Sequence, residues 1–181
     1  MSRIISLPNQ LIVLGIKEIS KDKFVPIKNR ECFNKPIGGL WCCPYTPDGE
    51  YISAWQEWCL GNGEEEWLSN DAVIITLKED AMYWCIDDQE GLQDIIDIVG
   101  EQEDKMFKLC GMKMNTYIDF EEAKKTFDAI YLTANGQWKT RMPDERNWLN
   151  LYGWDCESVL LMNYEKIDKW EYIKLNIKEE I

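Results

Sequence analysis

Residues 71–99 hold three signals in succession: Asp71-Ala-Val-Ile-Ile-Thr-Leu77, Ala81-Met-Tyr-Trp-Cys-Ile86, then Leu92, Ile95, Ile96 and Val99 at helical spacing up to Gly100. The first two runs are rich in β-branched and aromatic residues and predict strands. Lys78-Glu79-Asp80 between them predicts a short hairpin. In the third stretch Asp94 and Asp97 fall opposite the apolar stripe, so the helix packs one side and shows the other to solvent. Strand, strand and helix follow one another here without regular βαβ alternation. That order marks an α+β fold with a mostly antiparallel mixed sheet rather than a doubly wound parallel one.

Upstream, Leu11-Ile-Val-Leu-Gly-Ile16 reads as a buried strand. A polar stretch with Pro26 and Pro36 follows. Gly38-Gly39 permits a tight turn into the apolar strand Leu40-Trp-Cys-Cys43, which Pro44 closes. Ser53-Ala-Trp-Gln56 is a capping box, opening a helix to about Leu60 that stops at Gly61-Asn62-Gly63. Trp55, Trp58 and Cys59 share one face of that helix, the spacing of core packing.

Downstream, Asp119-Phe-Glu-Glu122 is a second capping box, for a helix to about Phe127. Ala129-Ile-Tyr-Leu-Thr133 predicts a strand and Asn135-Gly136 a turn. Residues 144–152 predict a short helix stopped by Gly153. Glu157–Asn163 and Trp170–Ile177 predict the last two strands. No internal repeat or low-complexity linker divides the 181 residues, so residues 1–181 are expected to form a single domain.

Composition narrows function. Apolar residues make up 45%, enough for a real core. The chain has no histidine, which removes every histidine base and histidine metal ligand. Met1-Ser-Arg-Ile-Ile-Ser-Leu-Pro8 is too short and mixed for a signal peptide, and no apolar run approaches the ~18 residues of a membrane span. The seven cysteines, Cys32, Cys42, Cys43, Cys59, Cys85, Cys110 and Cys156, are odd in number and hold no Cys-x-x-Cys pair. That usage fits a reducing cytoplasm. Cys32, Cys42, Cys43 and Cys59 are four thiols without a zinc-site spacing, and no metal is expected.

The net charge is −13, and it is unevenly placed. Residues 64–122 hold 17 acids and 4 bases, and the flanks together cancel. The acids cluster as Glu64-Glu65-Glu66, Asp87-Asp88 with Glu90, Asp94 with Asp97, and Glu101 with Glu103 and Asp104. Direct nucleic-acid binding needs a basic stripe that releases counterions, and this charge opposes it. One reading of the acids is a solvated coat that confers solubility. The other is an anionic face that docks on a basic protein, occupying a channel built for phosphate.

Gly-x-Gly-x-x-Gly and P-loop patterns are absent, so no common nucleotide site is legible. Cys42-Cys43, after the glycine pair, is the most exposed-looking candidate nucleophile. Two segments suggest a pocket: Gly38, Gly39 and Trp41 with Trp55, and Trp154, Asp155 and Glu157 at the mouth of a strand. Asp155 and Glu157 are two apart and share one face if the strand begins that early.

A Gly-Gly-Leu-aromatic stretch after a first strand, a Ser-x-Trp-x-x-Trp helix and a late acid-bearing strand resemble small ADP-ribosyltransferase-like proteins of phages and other mobile elements. Some of those resemble anti-CRISPR proteins. The likeness covers residues 11–60 and 129–163. It implies an ADP-ribosyltransferase-like fold. In the active family a strand-one His or Arg and a late Glu grip NAD. Here Glu157 matches the glutamate, the first strand holds no His or Arg, and Lys17 is the nearest cation.

Two functions are therefore expected. The first is an acidic inhibitor that occludes a basic nucleic-acid-handling enzyme, with a CRISPR effector nuclease as the partner and no cofactor. The second, implied by the resemblance, is an NAD-dependent ADP-ribosyltransferase. Glu157 would stabilise the ribosyl cation and Trp41 or Trp154 would stack on the nucleotide.

Overall fold

The computed structural model describes residues 5–31, 33–102, 109, 111, 115–142 and 149–177. Cys32, Cys110, Glu103, Asp104 and most of the expected helix at 144–152 lie outside them. Within them run β1 (Leu11–Leu14), β2 (Lys28–Arg30), β3 (Phe33–Ile37), β4 (Leu40–Pro44), α1 (Ala54–Asn62), β5 (Asp71–Leu77) and β6 (Tyr83–Ile86). They continue with α2 (Gln89–Val99), α3 (Phe120–Thr126), β7 (Ala129–Leu132), α4 (Ala134–Thr140), β8 (Ser158–Leu161) and β9 (Ile167–Lys174).

Seven strands form one sheet in the order β6-β7-β8-β4-β1-β5-β9, and β2 and β3 form a separate antiparallel pair. Among the described strands, only the β6–β7 pair is parallel. The fold is α+β with a mixed, mostly antiparallel sheet. None of the described helices is long and apolar enough to cross a membrane.

The expected β5–β6 hairpin does not form. The two strands lie in different halves of the sheet, with β1, β4, β8 and β7 between them. Burial explains the difference. Ala72, Val73, Ile74 and Ile75 are all buried, so β5 is covered on both faces and needs a partner on each edge. Strands β1 and β9 supply them. Lys78 N–H donates to the carbonyl of Lys166, so the turn after β5 is tied to the start of β9.

Alternation along the strands sorts the core into two faces. Leu11, Val13, Cys42, Val73, Ile75, Tyr131, Val159 and Leu161 pack together on one. Ile130, Leu132 and Leu160 point to the other, where they meet Ile95 of α2 and Phe120 of α3. On that same face Ile12 and Cys43 pack against Trp55 and Trp58 of α1. The helices thus cover one side of the sheet in two groups, α1 over β1 and β4, and α2 to α4 toward β6 and β7.

Local chemistry explains the helix ends. Ser53 Oγ accepts from Gln56 N–H, Gln56 Oε1 accepts from Ile52 N–H, and Gly63 closes α1 in the left-handed region at φ 74°. Asp88 caps α2 through Gly91 N–H, and Asp119 caps α3 through Glu121 and Glu122 N–H. Asn135-Gly136, expected as a turn, opens α4 instead. Thr133 Oγ1 accepts from Gly136 N–H and starts a helix there. A Cβ on Gly136 would stand 2.1 Å from the carbonyl oxygen of Ile86, so glycine is required by close packing, not by a turn. Leu149 to Tyr152, assigned to the expected helix, are extended or turn. Leu149 bridges Thr116 and Leu151 N–H donates to the Thr140 carbonyl. The polar stretch before Gly38 contains β2 and β3, whose Pro36 sits on the ribbon of two strands.

Candidate functional site

A cavity of about 260 Å³ opens on the helix-bearing face of β1 and β4, between α1 and the chain that leads into β8. Strand alternation aims Ile12 and Leu14 of β1 and Trp41 and Cys43 of β4 into it. Trp55 closes it from α1, and Trp154, Asp155, Cys156 and Ser158 close the far wall. Trp41 and Trp154 meet edge-to-face at 4.6 Å between ring centres. Trp154 is buried, and its indole N–H donates to the Asn34 carbonyl at 2.5 Å. The Trp41 indole N–H makes no hydrogen bond among the described residues.

Lys35 of β3 supplies the cavity's cation. Its Nζ stands 5.2 Å from the Trp41 ring centre and 3.3 Å from Asp155 Oδ2. Both charged side chains are about one-third exposed, 35% and 31%, so the pair contributes ~1 kcal/mol at most. The pair leaves a polar rim on an otherwise aromatic and thiol-lined hollow.

The sequence-based pocket residues divide. Trp41, Trp55, Trp154 and Asp155 line this cavity. Gly38 and Gly39 form the β3–β4 turn outside it, both at positive φ. A Cβ on Gly39 would press to 2.8 Å against Ile27, Leu160 and Leu161, so its role is close packing. Glu157 also lies outside. Strand β8 begins at Ser158, and Glu157 accepts a 2.5 Å hydrogen bond from the Tyr131 hydroxyl, whose ring packs on the opposite sheet face. Asp155 and Glu157 therefore do not share a face. Burial and the Glu157 carboxylate push the Tyr131 hydroxyl well above its ordinary pKa.

The cysteines also divide. Cys42 and Cys43, expected as exposed, are both buried. Cys42 points into the core of the other face, where burial raises its thiol far above the ordinary range. Opposite directions of neighbouring side chains keep Cys42 and Cys43 from gripping one zinc ion. Burial likewise pushes Cys59 and Cys85 up to about 11. Lys35 and Cys156 line the cavity although sequence reading did not select them. Lys35 was hidden because the β2–β3 pair that presents it has no alternating apolar pattern.

The acids fall on separate elements. Glu64, Glu65 and Glu66 sit at the short 3-10 turn after α1. Asp87 is engaged inside the fold, accepting from Thr133 Oγ1 at 2.6 Å and Asn135 Nδ2 at 3.1 Å. Asp88 is the α2 cap. Glu101 forms a bridge with Ile118 after α2. Glu90, Asp94 and Asp97 are exposed on the outer face of α2, a helix without a single lysine or arginine. They form no ion pair among the described residues. Beside α2 packs α4, whose Trp138 is 78% exposed. Next on α2, Ile98 is also exposed.

Fold and site together define an α+β protein with an aromatic cavity on one sheet face and an acidic helix with an exposed tryptophan beside it. No family model, no curated protein and no solved structure matches the chain. The resemblance of residues 11–60 and 129–163 thus gains no relative from these comparisons.

Proposed function

We propose that this protein acts by binding, through the outer face of α2 and Trp138, to a basic surface of a nucleic-acid-handling enzyme. The observation that carries the reading is Trp138. A tryptophan left 78% exposed on the helix packed beside α2, whose outer face carries three carboxylates with no ion pair among the described residues, has the make-up of an interface centre, not of a solubility coat. Large aromatic anchors supply most binding energy, and surrounding charges steer the encounter and select the partner. Of basic nucleic-acid enzymes, a CRISPR effector nuclease is the specific candidate. That choice rests on the resemblance of residues 11–60 and 129–163 alone.

The transferase reading asks Glu157 to reach a nucleotide held by Trp41 or Trp154. Glu157 is turned to Tyr131 and away from those rings, so the binding reading is preferred.

The test is nuclease inhibition by the purified chain, using a purified CRISPR effector assembled with its guide RNA. Stoichiometric inhibition that weakens steeply as salt rises from 0.05 to ~0.5 M is expected, because exposed charges are screened within a few ångströms at high salt. Full nuclease activity at low salt with the chain in excess would reject this partner.

A further inference from the structure

We propose that Cys43 and Cys156 form a redox site: a dithiol in the cavity wall that a small-molecule disulfide such as glutathione disulfide oxidises to an intramolecular disulfide. Their sulfur atoms lie 4.0 Å apart although 113 residues separate them in the chain. A bond needs the sulfurs to close from 4.0 Å to about 2.05 Å. Both residues line the same open cavity, so a small oxidant has a path to thiols that are otherwise buried.

Chemistry assigns the order of events. The Cys43 thiol is held well above its ordinary pKa, by its contact with Cys156 and by burial. Cys156 is shifted the other way, first by its contact with Cys43, with Lys35 adding a positive charge, while the Ser158 hydroxyl donates to the Cys156 carbonyl at 2.8 Å. Burial and Asp155 oppose the shift. Cys156, which shares the cavity wall with the Lys35 cation, is the attacking thiolate. Its sulfur bonds to one sulfur of glutathione disulfide and the other leaves as glutathione thiolate. Cys43 then loses its proton to solvent and attacks the Cys156 sulfur of the mixed disulfide, expelling the second glutathione thiolate. The protein loses two thiol hydrogens and the oxidant is reduced to two thiols.

The site is selective. Cys42 also borders the cavity, but its side chain packs in the core of the opposite face, with its thiol directed to the Leu40 carbonyl at 3.7 Å. The new bond would tie β4 to the chain entering β8 across the cavity wall. Trp41, Trp55 and Trp154 line that wall, so their fluorescence would report the closure.

The experiment equilibrates the full native chain in glutathione buffers from fully reduced to fully oxidised, quenches with acid, alkylates the remaining thiols and maps peptides by mass. The expected result is one linked pair joining the peptides of Cys43 and Cys156, reversed by dithiothreitol, with a parallel change in tryptophan emission. Cys42→Ser should keep the link, which separates it from its neighbour on the same peptide. Cys43→Ser should instead trap glutathione on Cys156. Unlinked Cys43 and Cys156 in the wild-type chain under excess glutathione disulfide would overturn the proposal. So would a link from either residue to a different cysteine.

Discussion

The Tyr131 hydroxyl donates a 2.5 Å hydrogen bond to Glu157, on the sheet face away from the tryptophan-lined cavity. Asp155, two residues earlier, borders that cavity and pairs with Lys35. The chain turns over between them as it enters β8, which assigns Glu157 to the architecture of the sheet. Tyr131→Phe should lower stability by about 1–2 kcal/mol, since it strips a carboxylate of its partner. Glu157→Gln keeps an acceptor at the same place and should cost less. Urea unfolding of both variants measures the difference, and a larger loss for Glu157→Gln would contradict the assignment.

Two helix glycines should respond oppositely to alanine. Gly61 in α1 has open space where a Cβ would go. Gly61→Ala should stabilise by roughly 0.5–1 kcal/mol, through the lower entropy of the unfolded chain. Gly136→Ala meets the Ile86 carbonyl at 2.1 Å and must push α4 off β6. Its cost should exceed ~1 kcal/mol. Thermal melts of the two variants should move in opposite directions.

Acid should weaken the β5–β9 edge. Asp71 accepts from the Tyr172 hydroxyl at 2.7 Å and from Lys174 Nζ at 2.9 Å, with Lys17 at 3.5 Å. The Tyr172 and Lys174 bonds hold its carboxyl down at about 2. A carboxyl depressed in the folded state favours folding above its unfolded pKa of about 3.9, and that contribution disappears as pH falls through about 2. The wild-type chain should therefore lose stability between about pH 4 and pH 2. Asp71→Asn should show a shallower loss over the same window in denaturation curves taken at each pH.

Much of this architecture is legible in the residues. Ser53, Asp88 and Asp119 sit where side-chain caps are needed, and the apolar stripe of α2 gives its buried face directly. Strand identity is also local. Strand pairing is not: whether β5 neighbours β6 or β1 depends on which apolar surfaces meet after the chain has crossed the sheet. The cavity shows the same limit. Trp41, Trp55 and Trp154 stand out as aromatics beside glycine or a cap, whereas Lys35 reaches them only because β2 and β3 pair. Glu157 carries no local sign of which face it takes. A shift of the strand start by one residue would have aimed it at the cavity.

Trp138 separates binding from stability. Its side chain is exposed, so Trp138→Ala should change unfolding free energy by no more than ~0.5 kcal/mol. As an interface anchor its loss should weaken partner binding by about tenfold or more. Denaturation and binding measured on the same preparation give both numbers, and unchanged affinity would remove Trp138 from the interface.

The most direct measurement is the affinity of the triple variant Glu90→Lys, Asp94→Lys, Asp97→Lys for the guide-loaded effector, read by biolayer interferometry at low salt beside the wild-type chain. All three side chains point outward from α2, so the fold should survive, as circular dichroism would verify. Docking through α2 predicts a loss of about tenfold or more, with much of it in the association rate. Wild-type affinity in the folded triple variant would contradict the assignment of α2 as the docking face.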